Sequence, residues 1–308
     1  MRSTNNIQIR QAAAVAAPLP PWVGLALLGV VYLVWGSTYL GIRVAVRGDG
    51  GFPPFVLGAI RLGTAGVILL AVAAMAGRPV RVRGSELRMH AVSGLLLWVV
   101  GNGLVIWALQ RVDSGYAALL MCLTPVFVVL IEAGAAGRAP RVALGRALAL
   151  GSAGIALLSV PALARGGSDP LGLAALLLAG LAWAVGTVYQ QRREQGADPL
   201  AAAGWQLLFA GIGFAAVAAL RGESAPSPSP EAWAAMAYLV LVGSVLGFGS
   251  YVWALRLLPA PVVMTHAYVN PVIAVILGWA LLGEPLTIWT WAGTGMVLLG
   301  VVETLRRR

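Results

Sequence analysis

Lysine is absent from this 308-residue chain, cysteine occurs once (Cys122) and histidine twice (His90 and His266). A single thiol inside an apolar run excludes a disulfide framework and a cysteine-based metal site. Charge is scarce as well. Only 10% of residues are charged and 59% are hydrophobic, with a mean hydropathy of +0.86. A soluble domain carries about a quarter charged residues, so the composition excludes that class. No Walker motif and no zinc-protease helix motif occurs, which excludes ATP-driven transport by this chain and that route to hydrolysis. No Asp or Glu falls near the middle of an apolar run. Proton exchange against a lipophilic cation relies on such a buried carboxylate, so that class is disfavoured.

What remains is apolar sequence cut at regular intervals. A spanning helix needs ~20 mostly apolar residues. Such runs occupy 22–46, 54–76, 87–110, 114–133, 142–160, 171–190, 200–220, 232–255, 260–282 and 286–304. The reading is an all-α integral membrane protein with ten transmembrane helices. Residues 1–21 read as a disordered cytoplasmic tail without the order of a signal peptide. All 21 basic residues are arginine. With the tail inside, fifteen fall on the cytoplasmic side and five opposite, which predicts cytoplasmic termini in a multi-pass protein of the inner (cytoplasmic) membrane. The charge of +10 therefore reports topology rather than a nucleic-acid surface.

The two halves repeat. At an offset of 146, Gly101, Gly103, Trp107, Pro125 and Val129 match Gly247, Gly249, Trp253, Pro271 and Val275. With drift, Arg61 and Gly66 fall opposite Gln206 and Gly211. This predicts two five-helix repeats, 22–160 and 171–304. Five is odd, so the second must be inverted relative to the first, an architecture whose site lies near the midplane between the repeats.

Polar groups inside these spans are the site candidates. Arg61 sits seven residues past Pro54, ~10 Å below the outer boundary. It is either a fork for a substrate carboxylate or a structural cation that snorkels or ties down carbonyls. Residues four apart share a helix face, which groups Trp35 with Tyr39, Trp98 with Asn102, Trp183 with Thr187, and His266 with Asn270. Repeat positions add Thr124, mate of Asn270, and Ser244 and Phe248, mates of Trp98 and Asn102; Tyr251 continues that second face, and Gln206 joins from span seven. Pro125 and Pro271 are candidate helix breaks that expose backbone to a cavity. The plainer reading of each is packing: small kinks, a bonded core histidine, indoles against lipid. Interfacial belting accounts for Trp22, Trp233, Trp289 and Trp291.

Trp35-Gly36-Ser37-Thr38 with Ile42-Arg43, then Pro53-Pro54 and Arg61, and the Pro125 and Pro271 helices ending at Gly137 and Gly283 (with Gly283-Glu284-Pro285) carry a resemblance. The chain resembles the EamA-type transporters of the drug/metabolite transporter superfamily. Arg138 departs from that pattern, standing where a Glu usually follows the glycine. The resemblance implies an inverted-repeat carrier, often an exporter of amino acids or other metabolites. The combined expectation is a secondary transporter, not an enzyme, that moves neutral, zwitterionic or anionic metabolites by alternating access. Alternatives are a drug, nucleobase or sugar-phosphate carrier of the same fold and, from another class, an intramembrane lipid-modifying enzyme. Expected partners are a small-molecule substrate and the lipid bilayer, with no nucleic acid, no cofactor and no metal; a monomer is one open assembly state.

Overall fold

The computed structural model describes residues 20–112, 117, 120–121, 123–137, 145–146, 149–154, 156–157, 160, 169–193, 197–282 and 287–305. The expected tail, most of the 142–160 span, Cys122, Arg138 and Gly283-Glu284-Pro285 lie outside the described residues. Within them the chain is helical and carries no strand: α1 (Pro21–Ala45), α2 (Pro54–Met75), α3 (Gly84–Ala108), α4 (Thr124–Ala136), α5 (Pro170–Arg193), α6 (Pro199–Arg221), α7 (Pro230–Leu257), α8 (Ala260–Val263), α9 (His266–Leu282) and α10 (Ile288–Leu305). Among the described residues, six helices (α1, α2, α3, α5, α6 and α7) are long and apolar enough to cross a bilayer.

Helix starts follow from local chemistry. Pro21, Pro54, Pro170, Pro199 and Pro230 each stand first in their helices, where a missing amide costs nothing. Asp198 caps α6 by accepting from the Leu200 amide at 2.9 Å, and Ser229 caps α7 through Ala232 at 3.2 Å. The Glu223 carboxylate, on the strand of chain between α6 and α7, accepts from the Phe55 and Val56 amides at 3.0 and 2.8 Å. It thereby places a negative charge at the positive end of α2.

Three features depart from the sequence expectation. First, α3 and α7 are not uniform: Leu95–Asn102 and Leu239–Leu246 are π-helical between α-helical ends. Second, the 260–282 span is interrupted before His266, not at Pro271. Thr265 donates its hydroxyl to the Val262 carbonyl at 2.5 Å and bonds the Tyr32 hydroxyl at 2.5 Å, closing α8 with side-chain groups. Third, α9 runs unbroken through Pro271. Helix α1 packs closely beside it there, where Gly36 lets the Asn270 carbonyl and Ile273 approach; a Cβ on Gly36 would lie 3.1 and 2.7 Å from them. Pro125 is not an internal break either, since it occupies the first turn of α4.

Helices α2 and α6 form the tightest seam. A Cβ at Gly211 would lie 2.5 Å from the Gly63 nitrogen, and one at Gly66 2.6 Å from the Leu208 nitrogen. Without a hydrophobic drive in lipid, helices associate where small residues let backbones touch. The larger core side chains, Trp35, Trp98, Phe248 and Tyr251, gather instead between α1, α3, α5, α7 and α9.

Candidate functional site

Aromatic side chains from four helices meet around Trp35, at the middle of α1. Its ring stands edge-on to Trp183 at 5.8 Å and to His266 at 5.0 Å, and lies over Tyr251 at 5.0 Å. Trp98 completes the group, 5.4 Å from Trp183 and 5.0 Å from Phe248. Rigid rings of this size cannot collapse onto each other as aliphatic chains do. A cavity of about 70 Å³ remains beside them. At ~10–15 Å³ of such space per water, it has room for roughly five waters.

Of the fourteen residues singled out in the sequence for binding, nine line this cavity: Trp35, Tyr39, Arg61, Trp98, Asn102, Thr124, Trp183, His266 and Asn270. The pairs at four-residue spacing on α1, α3 and α9 arrive together, as a shared helix face requires. Five do not reach the wall. Phe248 and Tyr251 pack against the Trp35 ring. Thr187 donates its hydroxyl to the Trp183 carbonyl of its own helix at 2.9 Å. Gln206 is fully buried against His90 instead. Ser244 stands behind Arg61 and accepts from its Nε at 2.9 Å.

The π-helical turn of α7 is the scaffold for two cavity residues at once. The Gly243 carbonyl accepts the Trp35 indole N–H at 3.1 Å, and the next residue, Ser244, holds Arg61. Gly247 is obligatory beside them, because a Cβ there would lie 2.7 Å from the Trp35 nitrogen. A π turn widens the helix by one residue and is a frequent mark of functional sites. Helix α3 therefore lines the cavity with Trp98 and Asn102, while α7 holds Trp35 and Arg61 from behind.

Arg61 is 2% exposed, so it does not snorkel. Its guanidinium lies 5.8 Å from the Trp98 ring centroid, and no described carboxylate forms an ion pair with it. Nη1 has no hydrogen-bond partner among the described residues. The same holds for Trp98 Nε1, Trp183 Nε1, Asn102 Oδ1, His266 Nε2 and Asn270 Oδ1. Buried polar atoms are almost always paired, and each exception calls for an explanation. Here six such atoms, each covered in this conformation, belong to side chains that line one cavity: a cation, two indole donors, two amide oxygens and an imidazole nitrogen. Such a set can bind a small molecule that carries both acceptors and donors.

Thr38, Ile42, Val105, Met121 and Ala267 also line the cavity and were not singled out in the sequence. Thr38 and Ile42 continue the α1 face of Trp35 at helical spacing, a signal that could have found them. The other three are apolar, and nothing local separates them from core. Among the described residues, no three His, Cys, Asp or Glu side chains are placed to hold a metal ion.

The signature of the EamA-like transporter family matches residues 21–160 and again 170–306. The chain is similar to the "Uncharacterized inner membrane transporter YedA" of Escherichia coli (strain K12), with 34% identity over 89% of this chain and 88% of that protein. It is similar at 23% identity to the "Uncharacterized transporter YoaV" of Bacillus subtilis (strain 168), over 89% and 94% of the two chains. A solved crystal structure with 21% identity superposes with a TM-score of 0.70 over 91% of this chain and 95% of its own, a likeness of fold.

Proposed function

This chain belongs to the EamA-like transporter family, and on that premise we propose that it carries small metabolites across the inner membrane through the Trp35–Trp183 cavity. It is a membrane transporter rather than an enzyme, in keeping with the relatives named above. The favoured cargo is an amino acid or a related neutral, zwitterionic or anionic compound, moved outward. One observation supports this reading above the rest: six side chains that line a single small cavity inside a helical bundle each carry a buried polar atom with no hydrogen-bond partner among the described residues. Arg61 Nη1 and the two indole N–H groups suit a carboxylate, while the amide oxygens of Asn102 and Asn270 suit an ammonium or hydroxyl. About 70 Å³ suits the polar end of a metabolite better than a bulky drug.

The mechanism that fits is alternating access, with two inverted five-helix repeats rocking about the cavity and ten crossings in all. Both termini then lie in the cytoplasm. Reporter fusions after Arg83 and Arg193 are expected to read cytoplasmic and one after Pro228 exterior; an exterior reading at Arg83 overturns the inverted arrangement.

The functional test is flux into and out of proteoliposomes with a panel of radiolabelled amino acids, monocarboxylates and uncharged metabolites. We expect saturable flux for a carboxylate-bearing member, and Arg61→Gln to weaken anionic and zwitterionic cargo more than neutral cargo. An equal fall for all cargoes assigns Arg61 to structure. No flux for any member contradicts the cargo class.

A further inference from the structure

Charge, more than shape, separates the cargo classes open to this cavity. Arg61 lines it, and a guanidinium stays protonated in proteins. Its Nε donates to Ser244, a neutral hydroxyl, at 2.9 Å, and its carbon lies 5.8 Å from the neutral Trp98 ring. The ion pairs formed among the described residues, Arg78–Asp198 and Arg111–Asp169, join helix ends elsewhere. No acidic side chain is among the described residues that line the cavity, and no Asp or Glu falls near the middle of an apolar run. The wall therefore carries one positive charge and nothing negative to offset it.

The arithmetic of binding follows. An uncharged cargo leaves the buried charge as it was. A zwitterion adds a carboxylate and an ammonium, so the closed site still holds a net positive charge, and Asn102 and Asn270 offer that ammonium only neutral amides. A monoanion brings the site to zero, the state a water-poor interior tolerates best. The indoles of Trp98 and Trp183 can only donate, which again favours a ligand rich in acceptors. A proton travelling with the anion needs a carrier. The titratable side chains of the described wall are Tyr39, Arg61 and His266. His266 meets the Trp35 and Tyr251 rings at 5.0 and 5.7 Å and the Asn270 amide nitrogen at 3.5 Å, none of them an anion. A proton on His266 would add a second cation to a wall that already lacks a counter-charge.

We infer that the cargo is a small organic monoanion, a carboxylate with no ammonium group, and that it crosses without a proton or a counter-ion, so each cycle moves one negative charge. This rests on the cavity being the transport site. The empty carrier returns with Arg61 held by Ser244, the Trp98 ring and a cavity with room for roughly five waters. In a membrane that is negative inside, the potential itself then drives the cargo outward.

The test uses the full chain in proteoliposomes whose potential is clamped by valinomycin, with protein-free liposomes subtracted. Outside potassium is set about tenfold above inside, which makes the interior positive. The radiolabelled probes are pyruvate and benzoylformate as monoanions, alanine as the zwitterion and pyruvamide as the uncharged match. For a monovalent anion that crosses alone, the ratio of inside to outside concentration approaches the potassium ratio, so about tenfold accumulation of an anion is expected. Equal potassium should give none, and neither should a pH gradient without a potential. Alanine and pyruvamide should enter at least about tenfold more slowly. Arg61→Gln should abolish the anion preference, and Arg61→Lys, which keeps the charge, should accumulate anion to the same ratio at a lower rate. If either variant fails to insert, the wild-type response to potassium decides alone. Anion uptake that follows the pH gradient, or that needs unlabelled anion inside, overturns the inference and leaves the cavity as a transport site. Entry of alanine or pyruvamide as fast as the anions does the same. If no probe enters, the transport reading falls and takes the inference with it.

Discussion

Two regions of the bundle use opposite means of holding helices together. Along the α2–α6 seam, glycines bring backbones into contact, and Gly66, Gly204 and Gly211 leave no room for even a methyl group. Around Trp35, five helices are kept apart by rings that meet edge-on and leave a polar cavity. Both regions come from equally apolar sequence. The difference lies in side-chain volume and in where the polar atoms stop finding partners. The seam is built to be dry and tight, and the cavity wall to be stiff and incompletely bonded.

Breaking the seam is expected to have the largest effect. Gly66→Leu drives a branched side chain into the Leu208 backbone, 2.6 Å from its Cβ position. Overpacking of this kind costs about 3 kcal/mol or more where backbone must shift. Gly134→Leu on α4, with nothing within 4 Å of its Cβ position, is the matched control. Thermal unfolding in detergent should fall sharply for the first and stay near wild type for the second. A small loss at Gly66→Leu would mean that the seam is looser than its distances.

A smaller effect should come from the prop behind the cavity. Ser244→Ala removes the hydroxyl that holds Arg61 Nε at 2.9 Å. A hydrogen bond to a buried charged group contributes about 1.5–3 kcal/mol. The protein should remain inserted, while binding of carboxylate cargo weakens more than that of uncharged cargo. Ser244→Thr, which keeps the hydroxyl, should restore much of the difference. If Ser244→Ala leaves the preference unchanged, the cavity cation is positioned by something else.

The smallest expected effect sharpens the comparison from outside. Glu132 lies near the end of α4 and away from the cavity-lining set. Glu132→Gln should leave flux within about twofold of wild type, as surface changes away from special features shift energies by only ~0.5 kcal/mol. Loss of flux in an inserted Glu132→Gln protein would restore a carboxylate-dependent mechanism.

Much of this contrast was legible in the sequence. Four-residue spacing on α1, α3 and α9 found Trp35 with Tyr39, Trp98 with Asn102, and His266 with Asn270, because neighbours on a helix face keep company whatever the tertiary fold. Contacts between distant helices were not legible. The Trp35 bond to the Gly243 carbonyl joins residues 208 apart, and the Gln206–His90 contact joins residues 116 apart. The π-helical turns were equally hidden: eight apolar residues such as Leu95–Asn102 carry too little periodicity to separate a wide helix from an ordinary one. Pro271 misled for a simpler reason. Proline disfavours a helix interior, yet α9 stays helical through it while α1 packs closely against it at Gly36.

Cargo binding in the cavity is the step on which transport depends. Its most direct test is flux, per inserted protein, for Trp183→Ala and Asn270→Ala beside Trp289→Ala, whose indole lies on α10, 43% exposed and outside the cavity. Removing an indole that stacks on cargo should cost ~1.5–3 kcal/mol, about tenfold or more in flux, while a lipid-facing indole should cost little. Trp183→Ala and Asn270→Ala are expected to lose at least about tenfold, and Trp289→Ala to stay near wild type. Equal behaviour of all three contradicts cargo binding in the cavity.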